Sequence, residues 1–274
     1  MSGRLDQVRF EAMGAACHLL GVGLERGRLS WATAWVADMR DRFSRFEPDS
    51  EVSRLNAAAG RWVELSAYLE GLLRAALDAH EVSGGLVHAG VLPSMLAIGY
   101  TRPLRLGPTG AAPGAAGPPA PLPELLELRP GRARLRPGAG IDLGGIAKGW
   151  LADRLAERLA DNCLVNLGGD LFARGAGPDG EGWPVGLGPA TVLLRDQGAA
   201  TSGTGRRAWW QAEQRLHHLI DPRTGRPSAT DLAEVSVVAA TAAGAEVHAK
   251  AALLLGSGQA APYLAANALA WHLR

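Results

Sequence analysis

Ile141-Asp142-Leu143-Gly144-Gly145-Ile146-Ala147-Lys148-Gly149 is a glycine turn that opens a helix. Leu151, Leu155 and Leu159 follow on one face, so the helix is expected to run from about 146 to 160. The backbone N–H groups of such a turn form an anion site, and the helix N-terminus adds partial positive charge. Lys148 would add a point charge for a phosphate, and Asp142 would hold a cation or ribose hydroxyls. The same residues also read as a plain strand-turn-helix with a surface lysine. The spacing is neither a Walker loop nor the G-x-G-x-x-G fingerprint.

Outward from this turn, strands and helices alternate irregularly. A buried strand is expected over Leu164–Asp170, ending in the Gly168-Gly169 turn. On the N-terminal side, 8–24 reads as a strand or hairpin arm and 29–45 as a helix that Pro48 ends. Ser50 or Asp49 caps a short helical turn through Asn56, and Ser66 caps a helix over 66–82. Residues 107–123 are low-complexity Gly, Pro and Ala, expected to be a mobile surface loop that buries nothing. Leu125–Leu135 reads as a hairpin around Pro130-Gly131. Further strands are expected near 183–188, 191–195, 208–220 and 234–240. A helix near 243–256 and a final strand or short helix complete the chain. This pattern fits α+β better than a doubly wound sheet.

Composition narrows the class. The 274 residues are 47% apolar, enough for a sizeable core, and the net charge of +1 argues against nucleic acid as a partner. No apolar run is long enough to span a bilayer. Cys17 and Cys163 make no disulfide framework. The first ten residues lack the apolar core of a secretory leader, so a cytoplasmic protein is expected. Of the 28 basic residues 26 are arginine; only Lys148 and Lys250 are lysine. A lysine that persists against such a bias suggests a need for a compact ammonium that Arg's planar fork does not mimic.

Three further segments carry chemistry. Asn166-Leu167-Gly168-Gly169-Asp170 is a strand-end turn with an acid. In His217-His218-Leu219-Ile220-Asp221-Pro222, a histidine beside Asp-Pro suits a general base, while Asp221 also reads as the cap of a turn. Glu246 and Lys250 stand four apart in the favourable helix orientation for an ion pair.

Taken in order, these segments resemble the FAD:protein FMN transferase (ApbE) family over nearly the whole chain. The resemblance rests on Phe10-Glu11-Ala12-Met13-Gly14-Ala15, on Phe43 to Asn56, and on Asp142 to Gly149, which matches the family signature residue for residue. Leu164 to Asp170, Ala200-Thr201-Ser202-Gly203 and His218 to Gly225 complete it. It implies one ApbE-like, T-fold-related α+β domain over 1–274, made of two intertwined subdomains of mixed and antiparallel sheets with packed helices. It implies FAD as substrate, Mg²⁺ as cofactor, and an acceptor flavoprotein whose threonine hydroxyl receives FMN. It further implies that Asp142 and Lys148 meet the nucleotide and that the Gly145 carbonyl faces the metal. Met13, Phe46, Val87, His88 and Ile220 stand at flavin-site positions, and His218 is the base for the acceptor threonine.

Two departures from the family pattern stand out. The last helix of the family carries Asp and Thr as metal ligands; here those positions are Glu246 and Lys250. An ammonium cannot ligate a hard divalent cation and repels it. The segment Gly85 to Tyr100 is also rewritten, with Val87-His88-Ala89-Gly90 where the family has Asp and Thr. These changes leave a second reading beside the transferase: a relative that binds FAD or another nucleotide without metal-dependent transfer.

Overall fold

The computed structural model describes residues 3–107, 114, 116–205, 207–211 and 213–274. The protein is α+β, with helices packed on antiparallel sheets. The chain forms two compact units, one from residues 1–40, 147–202 and 234–274, the other from 41–146 and 203–233. Among the described residues no helix is long and apolar enough to cross a membrane.

The first unit is built on a seven-stranded sheet. From edge to edge its strands are Leu5–Ala12, Ala15–Val22, Cys163–Leu167, Leu171–Arg174, Gln197–Gly203, Glu234–Ala239 and Ala270–Leu273. The first two form a hairpin whose turn residues, Met13 and Gly14, have φ of 53° and 67°. Positive φ at both positions marks the primed turns whose twist suits paired strands. Methionine is an unusual occupant, because a side chain in the left-handed region is strained. Along the second strand Cys17, Leu19 and Gly21 are buried, the period of two that fixes which face meets the core.

Helix Ala147–Leu159 buries Leu151, Leu155 and Leu159, as their spacing predicts, and packs on Cys163–Leu167 and Leu171–Arg174. Helix Ala242–Leu255 packs against that helix and against Glu234–Ala239. Glycine permits the close approach. A Cβ at Gly149 would lie 2.6 Å from the Ala242 carbonyl oxygen, and one at Gly198 would lie 2.1 Å from the Ala242 nitrogen. The end of the chain supplies both alternatives expected there, helix Ser257–Asn267 and then strand Ala270–Leu273.

Asp153 joins the two packed helices. Its carboxylate accepts the backbone N–H groups of Ala242 and Ala243 at 2.7 and 3.0 Å, in the first turn of Ala242–Leu255. Burial pushes its pKa up to about 6, against the downward pull of the two N–H donors. The folded state therefore binds more protons than the unfolded state between about pH 4 and 6, and this group's contribution to stability falls as pH rises through that window. Relative to Asp153→Asn, the wild type should lose on the order of 2 kcal/mol of unfolding free energy from about pH 4 to 7. Urea titrations of both proteins check this; a difference independent of pH would refute it.

In the second unit, helices Glu51–Ala57 and Ala67–Val82 begin at Ser50 and Ser66, whose hydroxyls accept the N–H groups of Ser53 and Leu69. Leu69, Leu72, Leu73, Ala76 and Ala79 form the buried face of the longer helix. A small sheet orders Val63–Glu64, Arg132–Leu135 and Leu126–Arg129, the last two joined at Pro130-Gly131 as read from sequence. The single strand expected over 208–220 is instead a hairpin, Ala208–Gln211 with Gln214–His217, followed by the short pairing of Ile220–Asp221 with Arg226–Pro227. Glu213, at φ 63°, reverses the chain.

Residues 108–113 and 115 of the low-complexity stretch lie outside the described residues. Its remainder corrects the expectation that it buries nothing. Leu122 is fully buried at the start of the helical turn Leu122–Leu125. A Cβ at Gly225 would lie 2.3 Å from the Ala116 carbonyl oxygen, so this backbone packs closely on the Gly225 turn.

Candidate functional site

The signature turn divides between the units, Asp142 to Ile146 in the second and Ala147 to Gly149 in the first. Its start is not a strand. Asn56 takes the role a neighbouring strand would play: its side-chain oxygen accepts the Ile141 N–H at 2.8 Å and its amide donates to the Ile141 carbonyl at 2.9 Å. The Asp142 N–H donates to the Ala89 carbonyl at 2.8 Å.

With its backbone fixed, Asp142 turns one carboxylate oxygen to the Gly144 N–H at 2.8 Å, shaping the glycine turn that leads to half-buried Gly145. The other oxygen accepts from Arg45 Nε. Arg45 also donates to the Tyr100 carbonyl at 2.8 Å, and its guanidinium lies over the rings of Phe46 and Tyr100, 4.1 and 4.7 Å from their centroids. This side chain is 5% exposed. Phe46, Tyr100 and Trp209 continue as an aromatic series with centroid separations of 5.6 and 5.4 Å. Arg45, Asn56 and Tyr100 are site residues that sequence reasoning missed.

Val87 and His88 are buried. The His88 Nδ1 accepts the Gly90 N–H at 2.9 Å, which leaves Nε2 to donate to the Ala120 carbonyl at 3.0 Å. Burial and the neighbouring His80 push its pKa down to about 4, so the ring is neutral at physiological pH. The rewritten segment thus builds the short helical turn Ala89–Val91, whose first carbonyl holds Asp142. Ile220 belongs to an apolar cluster with Val91, Met95, Ile98, Trp209 and Leu216.

The two histidines before Asp221 differ. His217 is buried and its Nε2 donates to the Ser228 carbonyl at 3.0 Å, whereas His218 is half-buried. Asp221 caps its own turn: its carboxylate accepts the Arg223 N–H at 2.9 Å and pairs through both oxygens with the Arg223 guanidinium. That is the turn-capping alternative read from sequence.

In the first unit, Lys148 stands in the first turn of Ala147–Leu159. Its ammonium bonds the Asp170 carboxylate and lies 3.5 Å from Glu246 Oε1. Lys250 lies 3.9 Å from that same oxygen, so the helix pair expected from spacing is present. Glu246 Oε2 accepts the Gly149 N–H at 2.9 Å. Burial favours the protonated acid, but the two ammonium charges and this N–H outweigh it and hold the Glu246 pKa below the usual range. Asp170, also missed as a partner, is positioned by its turn: the Asn166 side chain accepts the Gly169 N–H, and the Leu167 N–H bonds the Asp170 carbonyl. A Cβ at Gly168 would lie 2.5 Å from Ala15 Cβ, which places this turn against the hairpin tip that carries half-buried Met13.

The donors named for a metal, Gly145, Glu246 and Lys250, do not fit a hard divalent cation. One is an ammonium, and the only carboxylate among them already serves two ammonium groups and an N–H. Among the described residues no group of three His, Cys, Asp or Glu is arranged to hold a metal.

What fold and site define is an α+β protein with a buried lysine–carboxylate cluster beside a Gly-Gly turn, and known proteins share this fold. A family model described as the ApbE family matches residues 13–271. The chain belongs to the ApbE family. An FAD:protein FMN transferase of Treponema pallidum (strain Nichols) is 32% identical over 243 residues, 76% of this chain and 66% of that protein. One from Haemophilus influenzae is 28% identical over 269 residues, 88% of this chain and 76% of its own. Among solved structures, the ApbE protein of Thermotoga maritima superposes with a TM-score of 0.86 at 21% identity, covering 98% of this chain and 94% of that one. The apo flavinyl transferase ApbE of Pseudomonas stutzeri gives 0.82 at 22% identity, covering 98% and 90%.

Proposed function

We propose that this chain is an FAD:protein FMN transferase. The acceptor threonine oxygen bonds to the FMN-side phosphorus of FAD, the bond from that phosphorus to the bridging oxygen breaks, and AMP leaves. The hydroxyl proton passes to His218. Lys148 and the N–H groups of the glycine turn offset pyrophosphate charge, the main demand of phosphoryl transfer. Asp142, Met13, Phe46 and Ile220 contact the nucleotide, and Val87 and His88 act through the backbone segment they fix. The observation that carries this reading is the complete Asp142–Gly149 signature inside a family match that runs through both units. The free, buried thiols of Cys17 and Cys163 suit a cytoplasmic setting.

A second reading, FAD binding without transfer, is favoured by one observation, the ammonium of Lys250 beside Glu246. Incubation with FAD and a threonine-bearing acceptor flavoprotein separates the two. Flavin fluorescence that survives a denaturing gel, with one AMP released per acceptor, is the expected result. Bound FAD with neither product favours the second reading, and absence of FAD binding overturns both.

A further inference from the structure

The only two lysines in a chain of 26 arginines converge on one carboxylate oxygen, Glu246 Oε1, at 3.5 and 3.9 Å. They are 102 positions apart in sequence (148 to 250) and come from different helices of the first unit. Together with Asp170 they complete a quartet of two cations and two anions. The carboxylate side chains are 3% and 4% exposed and the lysine side chains 13% and 14%. Arginine would not serve here. Its fork is broad and planar, while two cations on one oxygen require compact point charges.

The quartet is balanced without any added ion. Insertion of a divalent cation beside Glu246 would place it within a few ångströms of two ammonium groups. Like charges that close repel strongly near a protein surface, and a divalent ion doubles the repulsion felt by a unit charge. The carboxylate that would attract the cation has its charge met already.

We infer that the Lys250 ammonium beside Glu246 excludes a divalent cation from this place, so that this chain binds FAD and transfers FMN without one. The inference rests on the flavin reading above and adds to it that no divalent ion takes part.

Three measurements test it. Flavin fluorescence titration gives the Kd for FAD with EDTA and with millimolar Mg²⁺; a change below about twofold is expected, and tightening of tenfold or more overturns the inference. Electron paramagnetic resonance of Mn²⁺ reads metal directly and needs no FAD. The signal of free Mn²⁺ should persist in the presence of the wild-type protein, and its stoichiometric loss overturns the inference. The double variant Glu246→Asp/Lys250→Thr should take up Mn²⁺ and bind FAD at least tenfold tighter with Mg²⁺ than with EDTA. If that variant folds, as judged by circular dichroism, and stays indifferent to both ions, Lys250 is not what excludes the metal. Absence of FAD binding under every condition would sink the flavin reading, while the Mn²⁺ measurement would still judge the quartet.

Discussion

Glu246→Ala should unfold about 10 °C below the wild type. Truncation removes the carboxylate that Lys148 and Lys250 share and leaves the buried Gly149 N–H without its acceptor. Removing one partner from a buried charge pair costs about 3–5 kcal/mol, because the remaining charge stays desolvated. Glu246→Gln should lose less, since its amide oxygen still accepts the Gly149 N–H. The informative comparison is Glu246→Leu/Lys250→Met, in which anion and cation leave together and apolar surface replaces them. That protein should be more stable than Glu246→Leu alone, and thermal unfolding followed by circular dichroism reads the difference. A Glu246→Ala melting temperature equal to that of the wild type would show that the quartet contributes nothing to folding.

His218→Ala should lower the rate of FMN transfer by about 10²–10⁴-fold, the usual contribution of a positioned general base. The FAD Kd and melting temperature should stay near wild-type values, because His218 is half-buried and not part of the apolar cluster that holds Ile220. His217→Ala is the matched control. Its ring is buried and tied to the Ser228 carbonyl, so its loss should reduce stability by about 1–3 kcal/mol and leave kcat largely intact. Equal kcat in His218→Ala and wild type would remove His218 from the mechanism. A collapse of transfer in His217→Ala at unchanged stability would move the role to its neighbour.

What could be read from the residues follows from how local each interaction is. The caps at Ser50 and Ser66 were legible because a hydroxyl meets an N–H three residues away. The leucines of Ala147–Leu159 were legible because helical period alone assigns their face. The Met13-Gly14 turn was not read as one, since methionine carries no turn chemistry; the pairing of Ala12 with Ala15 across it makes the turn. Strand Gln197–Gly203 was missed for a related reason. Gly198, Ala199 and Ala200 are not β-formers, and Gly198 is a glycine because the Ala242 backbone passes close to it.

The site divides the same way. Lys148, Asp142, Glu246 and Lys250 stood out through rarity or motif. Arg45 was hidden among 26 arginines, and nothing local distinguishes the one whose guanidinium is enclosed by Asp142, Phe46 and Tyr100. Asp170 looked like an ordinary turn residue because its partner lies 22 positions away. The helix spacing of Glu246 and Lys250 predicted their pair, but not the second lysine that makes the pair part of a quartet.

The seven-stranded sheet has the Leu5–Ala12 strand at one edge and Ala270–Leu273 at the other. During synthesis, the Leu5–Val22 hairpin must wait for Cys163–Leu167, more than 140 residues later, before its inner strand is covered. The far edge forms only once Ala270–Leu273 has been made and pairs with Glu234–Ala239. Such long-range closure makes for slow folding. Until Cys163–Leu167 has been made, the inner strand of the hairpin offers a bare edge, the kind of edge that invites wrong pairing.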